Sequence, residues 1–199
     1  GQTRIALALV GQLLAMDRND EALAVINGPE LNTAEQSADI RFMRGAVLEA
    51  MGRVDEAENE LWTALQAYPD NPVLLNHLGY LWVDSGRRVE QGAEMIARAH
   101  AADPANGNIQ DSLGWAQYRQ GQYDTAVGTL EEAVAKEPAN AEINDHLGDA
   151  YWQVGRRREA AWQWTRVLTL EPEAERRAEV EQKLATGLPE HEPVSGTQP

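Results

Sequence analysis

Small and apolar residues recur with a helical period along most of the chain, and residues 108–138 (NIQDSLGWAQYRQGQYDTAVGTLEEAVAKEP) show the unit most clearly. The pattern predicts two amphipathic helices, over about 109–120 and 123–137, with Leu113, Gly114, Ala126, Leu130 and Ala133 facing one another between them. Gly121 ends the first helix, because glycine accepts the left-handed backbone of a helix C-cap without a Cβ clash. Pro138 ends the second, since proline cannot continue a helix and biases its predecessor away from helical geometry. Gly114 and Ala126 are small enough for the two backbones to approach closely, and Leu113 and Leu130 fill the remaining space.

The same marks return at a fixed interval. The first-helix glycine recurs as Gly11, Gly45, Gly79, Gly114 and Gly148, at steps of 34, 34, 35 and 34. The closing proline recurs as Pro69, Pro104, Pro138 and Pro172, at steps of 35, 34 and 34. The small residue of the second helix is Ala22, Ala57, Gly92, Ala126 or Ala160, and the turn glycine is Gly52, Gly86, Gly121 or Gly155. A helix-turn-helix unit of this period resembles the tetratricopeptide repeat, or TPR. Leu147, Gly148, Tyr151, Gly155, Ala160, Trp164 and Pro172 follow the family pattern, with Val167 where alanine is usual. Four units match well and the first is degenerate, so the resemblance covers residues 3–172.

The resemblance implies an all-α, right-handed superhelix, an α-solenoid spanning residues 1–186. Its five repeats are expected at about 3–36, 38–70, 71–105, 106–139 and 140–172. In the first, helices over 3–16 and 20–26 are joined by a turn at 17–19 shorter than the others, and residues 31–36 form a loop. Another repeat is expected in front of it. The N-caps are Asn71 before Pro72, Asn106 or Asn108, and Asn140. Residues 173–186 read as a capping helix that packs through Ala174, Ala178, Glu181, Leu184 and Ala185, and 187–199 as a flexible tail.

Composition narrows the chemistry. A hydrophobic content of 43% suffices for a buried core. The net charge of −15 argues against sequence-independent binding to nucleic acid or anionic lipid, which needs a basic surface. With no cysteine, disulfides, thiolate metal sites and cysteine nucleophiles are excluded, and neither cytoplasm nor periplasm is selected. No apolar run approaches the roughly 20 residues of a membrane-spanning helix. The chain starts with Gly1 and Gln2, so an upstream segment is expected to have been cut away. No phosphate loop, dinucleotide glycine pattern or HExxH motif is present, and neither an enzyme nor a cofactor is expected. Asp145, His146 and Asp149 cannot converge on one ion, because successive helical positions diverge by about 100°. They read as a solvated helical face. Arg156, Arg157 and Arg158 read as a solvated turn paired with nearby glutamates. Trp62, Trp82, Trp162 and Trp164 fall mostly on packing positions.

In TPR folds the first helix of each repeat lines a concave channel, and the resemblance carries that role residue by residue. It falls on Phe42 and Glu49, on Asn76, Tyr80 and Asp84, on Asp111, Trp115, Tyr118 and Arg119, and on Asp145, Asp149 and Trp152. The implied function is a non-catalytic scaffold that holds a basic or neutral protein segment on aromatic and acidic side chains. The lysines of the family's clamp for chaperone C-termini are missing, although Asn76 is present. The phrases NHLGYLWVDSG and IQDSLGWAQYRQG also resemble bacterial multi-repeat TPR proteins, some of them outer-membrane lipoproteins that bring substrates to periplasmic proteases. That likeness implies a protease or cell-envelope hydrolase as partner and a periplasmic or outer-membrane location, with the cytoplasm as alternative. Two other readings are a repeat arm of a larger enzyme, such as a glycosyltransferase, and a self-assembly module built on the exposed first repeat.

Overall fold

The structure, a computed structural model, describes residues 2–31 and 37–189. Among the described residues there are eleven α-helices and no strand. They are α1 (Gln2–Leu14), α2 (Asn19–Ile26), α3 (Ala38–Ala50), α4 (Val54–Ala67), α5 (Pro72–Asp84), α6 (Val89–Ala102), α7 (Gly107–Arg119), α8 (Tyr123–Lys136), α9 (Ala141–Gln153), α10 (Arg157–Thr169) and α11 (Ala174–Thr186). In chain order α1 to α10 make five helix-turn-helix units, as in a TPR solenoid, and α11 follows them. The chain divides into two compact units, 1–81 and 82–199. Residues 32–36 and 190–199, which include the rest of the expected loop and most of the expected tail, lie outside the described residues.

Three pairs, α3–α4, α7–α8 and α9–α10, are closed by the same contact. A Cβ placed on Gly114 would lie 2.5 Å from Leu130 Cγ, and one on Gly148 would lie 2.5 Å from the Trp164 indole. In the first unit a Cβ on Gly45 would lie 3.0 Å from Leu61 Cγ. Leu61, Leu130 and Trp164 each sit four residues after the small residue of their second helix, and all three are fully buried. The absence of a side chain at the repeat glycine is therefore what seats the largest residue of the facing helix. Gly11 has nothing within 4 Å, so the first pair lacks this contact. Ile5, Leu9 and Met16 of that pair are exposed.

The turn glycines Gly52, Gly86, Gly121 and Gly155 all take a positive φ, between 69° and 81°. In the first repeat Asp17 takes that role at φ 54°. The connection there, residues 15–18, is not shorter than the others but one residue longer than 51–53. Without a glycine to turn the chain, α1 ends early, at Leu14. The asparagine caps form as expected. Asn71 Oδ1 accepts from the amides of Val73 and Leu74, and Asn140 Oδ1 from those of Glu142 and Ile143. Asn106 Oδ1 accepts from Asn108 and Ile109, so Asn106 rather than Asn108 is the cap. Each such cap contributes about 1 kcal/mol.

In the second unit α8 packs on α9, α6 on α7, and α10 on α11. Its core gathers Leu130, Leu147, Tyr151, Trp164 and Val167, with Val180 from α11. The face of α11 that packs is not the expected one. Ala174, Ala178, Glu181, Leu184 and Ala185 are exposed, and Arg176, Val180 and Lys183 point inward. Alanines offer little apolar area, and the neighbouring α9 presents carboxylates that need cations. Trp82 and Trp164 are core residues, but Trp62 and Trp162 are exposed on α4 and α10. Among the described residues no helix is long and apolar enough to cross a membrane.

Candidate functional site

In the second unit the expected channel residues of α7 gather around one indole. Trp115 stacks on Tyr118, one turn further along α7, with ring centroids 4.7 Å apart and planes 7° from parallel. It also stacks on His146 of α9, at 4.1 Å and 12°. Its Nε1 donates to Asp84 Oδ1 at 3.1 Å. Arg119 donates to the Asp84 backbone oxygen at 2.6 Å, and its guanidinium lies 5.8 Å from the Trp115 ring centre. Trp115 and Tyr118 are partly exposed, while Asp84 and Arg119 are exposed. The result is an aromatic platform fixed from three directions, with one carboxylate and one guanidinium at its rim.

Under the platform lies a buried ion pair. His146 Nδ1 is 3.0 and 3.1 Å from the two Asp111 oxygens, and both side chains are almost fully buried. Burial alone would lower the imidazole pKa, but the charge and hydrogen bond of Asp111, with Glu142 and Asp145 adding to them, raise it to about 8. Gln153 donates to the Tyr118 hydroxyl at 3.3 Å. Burial and the charge of Asp149 push that phenol up to about 12.

The next first helix, α9, presents a different picture. Asp145 and Asp149 are buried beneath α11, where Lys183 Nζ lies 2.7 Å from the first and 2.9 Å from the second. Arg176 reaches Asp145 at 3.3 Å and Glu142 at 3.2 Å. Trp164 Nε1 also donates to Asp149, at 2.9 Å. Burial raises the Asp149 pKa, with the charge of Asp145 adding to it and Lys183 opposing. Burial would lower the Lys183 pKa, yet the two carboxylates outweigh it and hold the ammonium protonated. Trp152 donates to the Leu188 backbone oxygen at 3.0 Å, and the Arg157 guanidinium covers its ring at 3.8 Å. A Cβ on Gly187 would overlap the same indole.

These contacts correct several expectations. Asp145, His146 and Asp149 are not a solvated face; they are buried, His146 toward α7 and the two aspartates toward α11. The divergence of neighbouring helical positions is what separates them. No group of three or more acidic or histidine side chains among the described residues is placed to hold a metal ion. Asp111, Asp145 and Asp149 do not line an open channel, because each is buried and engaged inside the chain, whereas Trp152 stays partly exposed while donating to Leu188. The arginine turn is as expected: Arg156 and Arg158 are exposed, and Arg156 pairs with Glu131 and Glu159 and lies 4.1 Å from the Tyr151 ring centre.

In the first unit, Asn76 and Tyr80 of α5 are partly buried. Beside them Phe42 meets His77 edge-on at 5.0 Å, and His77 Nε2 lies 2.8 Å from Glu49. His77 and His146 hold the same repeat position, and each meets an aromatic ring and a carboxylate from the preceding first helix. Sequence reasoning missed His146, Arg176 and Lys183 as parts of the site. The signal was the repeat period itself: Lys183 stands 34 residues after Asp149, and His146 35 after Asp111.

Two family descriptions match the chain: "TPR repeat" over residues 114–155, and a family of unknown function, DUF6880, over residues 1–120. A TPR repeat-containing protein of Pseudomonas aeruginosa, PA4667, is 31% identical over 99 residues, which are 50% of this chain and 17% of that protein. Among solved structures, TTC0263, a thermophilic TPR protein of Thermus thermophilus, superposes with a TM-score of 0.78 at 23% identity, covering 92% of this chain and 99% of the other. Pseudomonas aeruginosa pilF gives 0.70 at 16% identity, covering 92% and 82%. These structural likenesses speak for the fold.

Proposed function

The chain is a tetratricopeptide-repeat protein that belongs, over residues 1–120, to the family of unknown function DUF6880, and from that premise we propose that it holds a segment of a partner protein on the Trp115–Tyr118 platform. The TPR fold is a scaffold for protein–protein interaction, and a non-catalytic role accords with it. The observation that carries the reading is the fixation of a partly exposed indole by Tyr118, His146 and Asp84. A ring already held in one orientation loses little further entropy when a partner covers it, which is what makes buried aromatics dominant in interfaces.

The overall charge of −15 and the exposed Asp84 support a basic or neutral segment as ligand. Asp111, Asp145 and Asp149 do not add to that preference, since His146, Arg176 and Lys183 already answer them. The narrower reading, recruitment of substrates to a cell-envelope protease or hydrolase, is supported by the two phrases around Tyr80 and Trp115 and by the likeness to a bacterial TPR protein. That relative is far longer than the matched stretch.

The test is capture from the native cell extract with wild-type chain and with Trp115→Ala as bait. Trp115→Ala is expected to lose about 2 kcal/mol of partner affinity, as truncated hot spots do, while keeping its helical spectrum. Equal capture by both baits would remove the platform from the mechanism.

A further inference from the structure

The helix α11 is held differently from every other first helix of the second unit. In α9 nine residues are buried and in α7 seven; in α11 only Val180 is. The rest of its hold is ionic, through Lys183 on Asp145 and Asp149 and through Arg176 on Asp145 and Glu142. The chain enters α11 through Glu171, a non-glycine residue at φ 52°, a backbone conformation that costs energy, and Glu173 makes no side-chain cap. Its apolar side chains Ala178, Leu184 and Ala185 face outward rather than onto the fold. At its far end Gly187 passes over Trp152, where a Cβ would not fit, and Leu188 accepts the hydrogen bond of the indole.

We propose that the surface of α9 beneath α11 is a docking surface for a partner helix bearing Lys or Arg seven residues apart and a glycine four residues beyond, and that α11 is its removable occupant. This deepens the scaffold reading above and rests on it. The surface dictates the occupant: two buried carboxylates and Glu142 require cations at that spacing, because an uncompensated buried charge is strongly unfavourable. Trp152 requires a small residue where Gly187 now lies. A partner helix with cations at that spacing can take the place of Lys183 and Arg176 without leaving either carboxylate unpaired, which an apolar competitor cannot do. The net charge of −15 also draws basic segments toward the molecule.

The probe is a labelled peptide of residues 173–189, EAERRAEVEQKLATGLP, added to the full-length chain. In Lys183→Glu the resident helix is repelled, and this variant is expected to bind the wild-type peptide about tenfold or more tighter than the wild-type chain does. The same peptide carrying Lys183→Glu is expected to bind neither. Hydrogen exchange on the wild-type chain supplies the second arm. Amides of α11 are expected to exchange faster than those of α9 and α10. Exchange of α11 in step with α9 and α10 overturns the proposal, as does a variant that binds the peptide no better than wild type. Trp115→Ala is expected to bind the peptide as wild type does. Loss of the platform reading and loss of this one therefore give different results.

Discussion

The first helices α7 and α9 carry their channel residues at the same three places: three before, one after and four after the repeat glycine. In α7 these are Asp111, Trp115 and Tyr118; in α9 they are Asp145, Asp149 and Trp152. One set leaves two partly exposed aromatic rings stacked together; in the other both acids are buried and the single indole is covered by Arg157 and by the chain at 187–188. The difference comes from the following first helix. Over α7 it brings a single imidazole, His146, which pairs with Asp111 and slides flat beneath Trp115. Over α9 it brings two long cations, Lys183 and Arg176, which reach across the carboxylates and draw the chain down onto Trp152. How far the first helix of a repeat stays exposed is thus decided one repeat downstream, by the length and charge of a few side chains.

The largest effect that would sharpen this contrast is expected from Asp149→Ala. It leaves buried Trp164 Nε1 without its acceptor and Lys183 with Asp145 alone, and is expected to cost about 2 kcal/mol in denaturant unfolding. Asp84→Ala, at the exposed rim of the α7 platform, is expected to cost less than about 1 kcal/mol. Equal costs would break the comparison. The pH dependence comes next. The pKa of His146 is about 8 in the fold, above its ordinary value, so its contribution is complete below about pH 6.5 and is lost as pH rises through 8. Asp111, Glu142 and Asp145 are the charges that hold it there. Stability measured at pH 6 and pH 9 is expected to differ by about 2 kcal/mol from this group, and His146→Gln is expected to flatten that difference. The smallest effect is that of Tyr118→Phe, which removes only the hydrogen bond from Gln153 and is expected to cost about 1 kcal/mol or less. A melting curve is enough to check it.

Much of the fold could be read from glycines, prolines and asparagines. These residues act through the backbone, and the backbone requirement repeats every 34 or 35 residues. Leu130 and Trp164 fell into place because a glycine opposite them leaves room for one large side chain. The surface was less legible. Asp145 and Asp149 look like solvent-facing acids when α9 is considered alone, and only the residues one period on, at Lys183 and Arg176, show why they are buried. The inward face of α11 was misjudged for a related reason. An alanine stripe was weighed by its apolar character, although the opposing surface is acidic and selects Arg176 and Lys183 instead. Trp62 and Trp162 show the converse error, since large aromatic side chains on the second helices need not face inward.

The hydrogen bond from Trp152 to the Leu188 oxygen, with Arg157 lying over the ring, has a practical corollary. An indole so shielded emits at shorter wavelength than a hydrated one and is hard for a dissolved quencher to reach. Among the six tryptophans this one changes its emission when the last helix leaves, and its share is read by difference against a chain in which Trp152 alone is replaced.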